Sequence, residues 1–230
     1  MNRIFWAGDS TVQTNDYTTY PQTGIGQVFS LFLKEGYSVE NHAKNGRSTK
    51  SFMDEGRLKV IEEQIGAGDF LFIQFGHNDE KKEDPARYTE PFSSFMENLE
   101  LFIKTARDKG AFPVLITPLE RRCFADDKHL GIGAHSDYVA GMKQTAEKCR
   151  VPLVDLYSMS RTELKKAGEE ASRKWYMFFP AHMYRNHMEE SKDNTHLRHE
   201  GAVNFARMIA KGLKEQGGIY SDMILEDIIF

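Results

Sequence analysis

DFLFIQFG, residues 69–76, decides the fold. The run is apolar and aromatic at nearly every position and stops at a glycine. A strand with one wet face alternates apolar and polar side chains, so a run without alternation has both faces covered, as in a parallel sheet clad by helices. RIFWAG (3–8) and AFPVLITPL (111–119) have the same character. YSVENHA (37–43) alternates weakly, and VPLVDL (151–156) supplies a fifth short strand. Helical spacing fills the gaps: GIGQVFSLFLKEG (24–36), SFMDEGRLKVIEEQI (51–65), a long amphipathic helix within 85–110 that stops at Gly110, 135–150, 160–174 and 199–217. Strands alternating with helices predict an α/β chain with a five-stranded parallel sheet wrapped on both faces. No linker, repeat or low-complexity stretch interrupts the order, so residues 1–230 read as one domain.

The 230 residues are 40% hydrophobic and 28% charged, ordinary for a globular protein, and the net charge of −4 carries no basic footprint for nucleic acid. No run of 18 apolar residues predicts a membrane span. Met1 is followed almost at once by the first strand, which leaves no room for a secretory signal and predicts a cytoplasmic protein. The two cysteines, Cys123 and Cys149, read as free thiols rather than as a disulfide framework.

Ligands of such sheets bind beyond the carboxyl ends of the strands. There the chain carries Gly8-Asp9-Ser10, Asn45-Gly46-Arg47, Gly76-His77-Asn78-Asp79, TPLERRCF (117–124) and, before the last helix, DNTHLRHEGA (193–202). Alone, Gly-Asp-Ser is a capping turn. Together these blocks contain the parts of a serine hydrolase: Ser10 as nucleophile, His196 as base and Asp193 to orient the imidazole. Oxyanion donors come from the backbone N–H groups of Ser10 and Gly46 and the side-chain amide of Asn78. The G-x-S-x-G elbow, H-E-x-x-H, the P-loop and zinc-type cysteine spacing are absent.

These residues resemble those of the SGNH, or GDSL, hydrolases. Gly8-Asp9-Ser10, Gly46, Gly76–Asp79 and Asp193–His196 match that family's four blocks in order, and the resemblance spans residues 8–201. AGDSTV, NGRSTKSFMDEGR, IQFGHND, TPLERRCF and THLRHEGA look like the rhamnogalacturonan acetylesterase branch. The resemblance implies a three-layer α/β/α, flavodoxin-like fold and no metal or organic cofactor. It implies a serine esterase that removes acetyl groups from pectic oligosaccharides through an acetyl-enzyme. Acting inside a cell, such an enzyme would meet imported oligosaccharides rather than polymer.

Rival readings stay open at this level. Other acetylated sugars such as xylan oligosaccharides, longer acyl chains as in lipases and thioesterases, a non-catalytic carbohydrate-binding protein and a flavoprotein share the architecture. Arg121 or Arg122 could meet a substrate carboxylate, and Arg122 is the candidate carried forward. Trp175 and Tyr184, in the aromatic stretch 174–190, could line a sugar platform or simply pack a loop. Asp9 reads as bonding its own loop and His77 as a packed neighbour of Asn78. His196 and His199 lack an evident third metal ligand. Oligomeric state leaves no mark on the sequence.

Overall fold

The computed structural model describes residues 2–126, 129–131, 133 and 135–228. Strands β1 (Asn2–Gly8), β2 (Tyr37–Asn41), β3 (Phe70–Gln74), β4 (Phe112–Ile116) and β5 (Leu153–Val154) form one sheet in the order β2-β1-β3-β4-β5, all parallel. Around it lie α1 (Ile25–Val28), α2 (Thr49–Asp54), α3 (Arg57–Gln64), α4 (Ser94–Asp108), α5 (Ser136–Cys149), α6 (Leu156–Ser172), α7 (His199–Gln216) and α8 (Gly218–Asp222).

The two-residue period of the central strands builds the layers. Ile4, Trp6, Phe70 and Phe72 face one side, where they join Ile25 and Val28 of α1, Leu164 of α6 and Phe205, Ile209 and Leu213 of α7. Phe5, Ala7, Leu71 and Ile73 face the other, against Phe52 of α2, Ile61 of α3, Phe95, Leu99 and Phe102 of α4 and Met142 of α5. Trp6 is the aromatic hub of the first side, edge-on to Phe29 and Phe72 with centroids 5.1 and 5.2 Å away. A β3 apolar at all four of its first positions is therefore what a sheet sandwiched between helices requires.

The chain moves outward from β1 to β2, then returns to place β3 on the other side of β1. Where the winding reverses, the carboxyl ends of β1 and β3 open a crevice between diverging connections. Gly8-Asp9-Ser10 and Gly76–Asp79 leave the sheet at that crevice.

Several elements differ from the sequence-based expectation. Residues 24–36 form only one α turn followed by a 3₁₀ turn, Phe29–Phe32. The N–H groups of Ile25 and Gly26 donate to Thr11 and Val12 carbonyls, and a Cβ on Gly24 would sit 2.1 Å from the Gln13 carbonyl oxygen. The segment starts where expected, but its far end is taken up by chain near the C-terminus: the Lys34 N–H donates to the Met223 carbonyl and the Leu225 N–H to the Phe32 carbonyl, so the helix does not run on to residue 36. Helix α6 begins earlier than expected and breaks at Gly168. The aromatic stretch 174–190 contains an unexpected strand, β6 (Tyr176–Phe179), paired antiparallel with β7 (Ser191–Leu197). Among the described residues no helix is long and apolar enough to cross a membrane.

Residues 51–65, expected as one helix, are two. Ser48 and Ser51 form a reciprocal capping box at the start of α2, and Gly56, at φ +72°, separates α2 from α3. A Cβ on Gly56 would meet nothing within 4 Å. Gly56→Ala therefore isolates the backbone cost: urea denaturation should show a loss of about 1–2 kcal/mol, with hydrolytic activity unchanged.

Candidate active site

Asp9 shapes the turn that presents Ser10. Its Oδ1 accepts from the Thr11 N–H (2.9 Å) and hydroxyl (2.8 Å), and its carbonyl accepts from Val12 and Gln13 N–H. The chain thus wraps around Ser10 as an Asx-type turn. Its Oδ2 lies 3.2 Å from His77 Nδ1, which ties the β1 loop to the β3 loop. Burial pushes the Asp9 carboxyl up, but His77 and the Thr11 bonds outweigh it and hold it below its ordinary value. Burial, with His135 and Arg121 adding to it, pushes His77 down to about 4. His77 is then neutral near pH 7 and donates its Nδ1–H to an ionised Asp9.

The β6–β7 pairing has a shift that matters for the chemistry. Met177 pairs with Asp193, and Tyr176, one residue earlier, pairs with Leu197. Residues 194–196 therefore bulge out of the ladder, and a bulge re-aims side chains. Asp193 holds the bulge: Oδ1 accepts from the N–H of Thr195 (2.7 Å) and of His196 (3.0 Å). Its Oδ2 lies 2.6 Å from His196 Nδ1, and His196 Nε2 lies 3.0 Å from Ser10 Oγ. Burial raises the Asp193 carboxyl, but the His196 ring and the two N–H donors more than reverse it, so it sits below its ordinary value. An ionised Asp193 requires the proton on Nδ1, which leaves Nε2 as acceptor for the Ser10 hydroxyl.

The loops that carry the expected oxyanion donors are tied to the end of β1 and to each other. Gly46 turns the chain at φ +76°, a conformation L side chains rarely adopt. The Lys44 N–H donates to the Gly8 carbonyl and anchors this turn at the end of β1. Asn78 Nδ2 donates to the Arg47 carbonyl at 3.1 Å, while Arg87 Nη1 lies 3.4 Å from Asn78 Oδ1 and sets which way the amide points. The N–H groups of Ser10 and Gly46 and the second N–H of Asn78 have no acceptor among the described residues.

The structure also places the remaining candidates. Arg122, a candidate ligand for a substrate carboxylate, is 3% exposed. Its guanidinium is bound to Glu169, Ser172 and Asn194 and lies over the Phe178 ring. Trp175 is buried edge-on to Phe205, and its backbone packs against Gly201 of α7, so it belongs to the core. Tyr184 stays half-exposed and packs on Tyr20, Phe179 and His187. A cavity of about 1140 Å³ opens among Arg122, Phe178, Lys192 and Arg198, yet neither Ser10 nor His196 lines it. Among the described residues no group of three or more His, Cys, Asp or Glu is arranged to hold a metal ion. Sequence reading missed Glu80, His135 and Thr195. His135 lies beside His77, with ring centroids 4.3 Å apart, and bonds Glu80 at 2.7 Å. Glu80 and His135 carry no motif, while Thr195 was inside the DNTH block without a role.

The profile of the GDSL-like Lipase/Acylhydrolase family matches residues 4–209. The chain is 41% identical over 217 residues to rhamnogalacturonan acetylesterase RhgT of Bacillus subtilis (strain 168), covering 94% of this chain and 90% of that protein. It is 40% identical over 226 residues to the probable rhamnogalacturonan acetylesterase YesY of the same organism, covering 98% and 99%. Among solved structures, Bacillus subtilis YxiM superposes with a TM-score of 0.79 at 27% identity over 94% of this chain, which spans only 57% of that longer one. Axe2, an acetylxylan esterase from Geobacillus stearothermophilus, shares the fold at a TM-score of 0.65 and 16% identity, covering 92% and 93%.

Beneath Asn78, Asp79 is fully buried. Its Oδ1 accepts from Thr49 N (3.0 Å), Thr49 Oγ1 (2.6 Å) and Thr89 Oγ1 (3.1 Å), while Oδ2 has no partner among the described residues. Burial pushes its carboxyl up to about 7. A carboxyl raised in the folded state stabilises at low pH, and that stability is lost as pH climbs from the ordinary value near 3.8 to about 7. His77, lowered to about 4, acts oppositely: its contribution is gained as pH rises from about 4 to its ordinary 6.5. Asp79→Asn removes only the first effect. The stability of the variant relative to the native chain should therefore rise between pH 4 and 7 and stay level above, measured by urea denaturation across pH. Parallel curves would mean that Asp79 does not titrate in that range.

Proposed function

Because the chain belongs to the GDSL-like lipase/acylhydrolase family, a family of carboxylic ester hydrolases, we propose that it removes O-acetyl groups from pectic, rhamnogalacturonan-type oligosaccharides as a single hydrolase domain. The observation that carries the chemistry is the run Asp193–His196–Ser10, with contacts of 2.6 and 3.0 Å. The sugar rests on the two Bacillus relatives near 40% identity.

In this reading Ser10 Oγ attacks the acetyl carbonyl while its proton passes to His196 Nε2. The carbonyl oxygen becomes an oxyanion facing the N–H groups of Ser10 and Gly46 and the Asn78 amide. Such donors favour the transition state because they are already aimed where charge develops. His196 then hands its proton to the departing sugar oxygen, which leaves an acetyl ester on Ser10. Water, deprotonated by His196, attacks that ester and releases acetate, and the proton returns to Ser10. Asp193 balances the imidazolium charge throughout without taking the proton.

Two loops beside Leu197 and Arg198 offer a surface to the sugar. Asn186 Nδ2 donates to the carbonyls of Thr18 (3.0 Å) and Tyr20 (2.7 Å), and Tyr20 packs edge-on to Tyr184. Tyr17 and Tyr20 are exposed. Their amphipathic rings suit a sugar's apolar face and hydroxyl rim. Tyr184, with Tyr20, is the platform we assign.

Acetate release from acetylated rhamnogalacturonan oligosaccharides is the test, with acetylated xylan oligosaccharides and octanoyl esters alongside. Pectic substrates should be preferred. Release from xylan instead would move the substrate, and faster octanoyl turnover would favour a lipase. Ser10→Ala and His196→Ala should each lower kcat about a million-fold and Asp193→Ala about ten-thousand-fold. Asn78→Ala should lower it about a hundred- to a thousand-fold. Full activity in Ser10→Ala would exclude the mechanism.

A further inference from the structure

We propose that Arg121 is a positioning residue that sets the base and the oxyanion donor in register through a single guanidinium; this rests on the Ser10–His196–Asp193 reading above. Arg121 leaves the sheet just after β4, and its side chain is about one quarter exposed. Its Nη1 donates to Thr195 Oγ1 at 2.7 Å, the residue immediately before His196. Its Nη2 donates to Glu80 Oε1 at 2.9 Å, two residues after Asn78, and lies 3.4 Å from the carbonyl of His77, the residue before Asn78. One planar group thus touches the segments on both sides of Asn78 and the bulge that carries His196.

The anchorage of Arg121 is stiff. Glu80 is also held by His135, whose ring packs on His77. The Arg121 N–H donates to Glu120 Oε1, and Glu120 is itself buried and paired with Arg161. Arg122 grips the adjacent residue of the same bulge: its N–H donates to the Asn194 carbonyl (2.9 Å) and its Nη1 to Asn194 Oδ1 (3.0 Å). Arg122 is deeply buried and bound to Glu169, so its loss also removes fold stability. Arg121 differs, because both of its partners lie next to groups that must meet the same reacting carbonyl. A rigid fork holds two partners at fixed separation, which an ammonium on a flexible stem does not.

The test measures kcat, KM and thermal midpoint for Arg121→Gln, Arg121→Lys, Thr195→Val and the double variant Arg121→Gln/Thr195→Val, on 4-nitrophenyl acetate and on the acetylated oligosaccharide, with Ser10→Ala as reference. Misplacement of about 1 Å can cost about a hundredfold in rate, so Arg121→Gln should lose about that factor in kcat with KM unchanged on both esters. Arg121→Lys should lie between Gln and the native chain. The double variant should be no slower than Arg121→Gln, because both changes break one linkage. Arg121→Ala should regain turnover in millimolar guanidinium chloride and not in potassium chloride. Native kcat in Arg121→Gln, while Ser10→Ala is dead, would overturn this inference alone. So would a kcat loss that follows the thermal midpoint, adds to that of Thr195→Val and resists guanidinium. Native activity in Ser10→Ala would overturn the site reading and this inference with it.

Discussion

The site depends on how one carboxylate divides its two oxygens. Asp193 Oδ1 satisfies the two backbone N–H groups that a bulge would otherwise leave unpaired, and Oδ2 receives the His196 ring. Bulged residues lose their ladder partners, and unpaired backbone groups are costly wherever water is excluded. The charge that would orient and balance an imidazolium therefore also holds the loop in the shape that aims it. Remove the carboxylate and both geometry and electrostatics go together, which is why the effects of such groups do not separate into independent contributions.

The loops around the site are also joined by buried and part-buried polar contacts. Asp9 meets His77, Glu80 meets His135 and Arg121, and Asp79 gathers Thr49 and Thr89. A buried polar group is costly unless paired, so each contact strongly prefers one arrangement. Apolar side chains tolerate small slips; a carboxylate held by three donors does not. The crevice between β1 and β3 brings these loops within reach, and the polar contacts then register them.

Arg121 and Arg122 show what residue type alone cannot decide. Both follow a buried strand and both suit a carboxylate. Neighbours in an extended chain point in opposite directions. One guanidinium accordingly reaches the loop carrying Asn78, and the other enters the space between α6 and the hairpin, where Glu169 binds it. The expected partner is a substrate carboxylate, but the carboxylates that these two guanidinium groups meet, Glu80 and Glu169, belong to the protein, and that is a matter of packing.

The sequence by itself determined the sheet and the place of the candidate site. Near-continuous apolar runs at 3–8, 69–76 and 111–119 call for cover on both faces, and Ser10, Gly46 and Asn78 each follow a strand of that sheet, because local periodicity and strand-end turns are written residue by residue. The break at Gly56, the shortened helix near Gly24 and the β6–β7 hairpin were not legible, because each follows from contacts with chain distant in sequence or from a backbone angle with no periodic trace. Only the tertiary structure decided that residues 194–196 leave the ladder, that His196 Nε2 comes within 3.0 Å of an oxygen 186 residues away, and that Arg121 bridges the two loops. Side-chain bonds across such separations depend on direction in space, which a linear pattern of residue types does not encode.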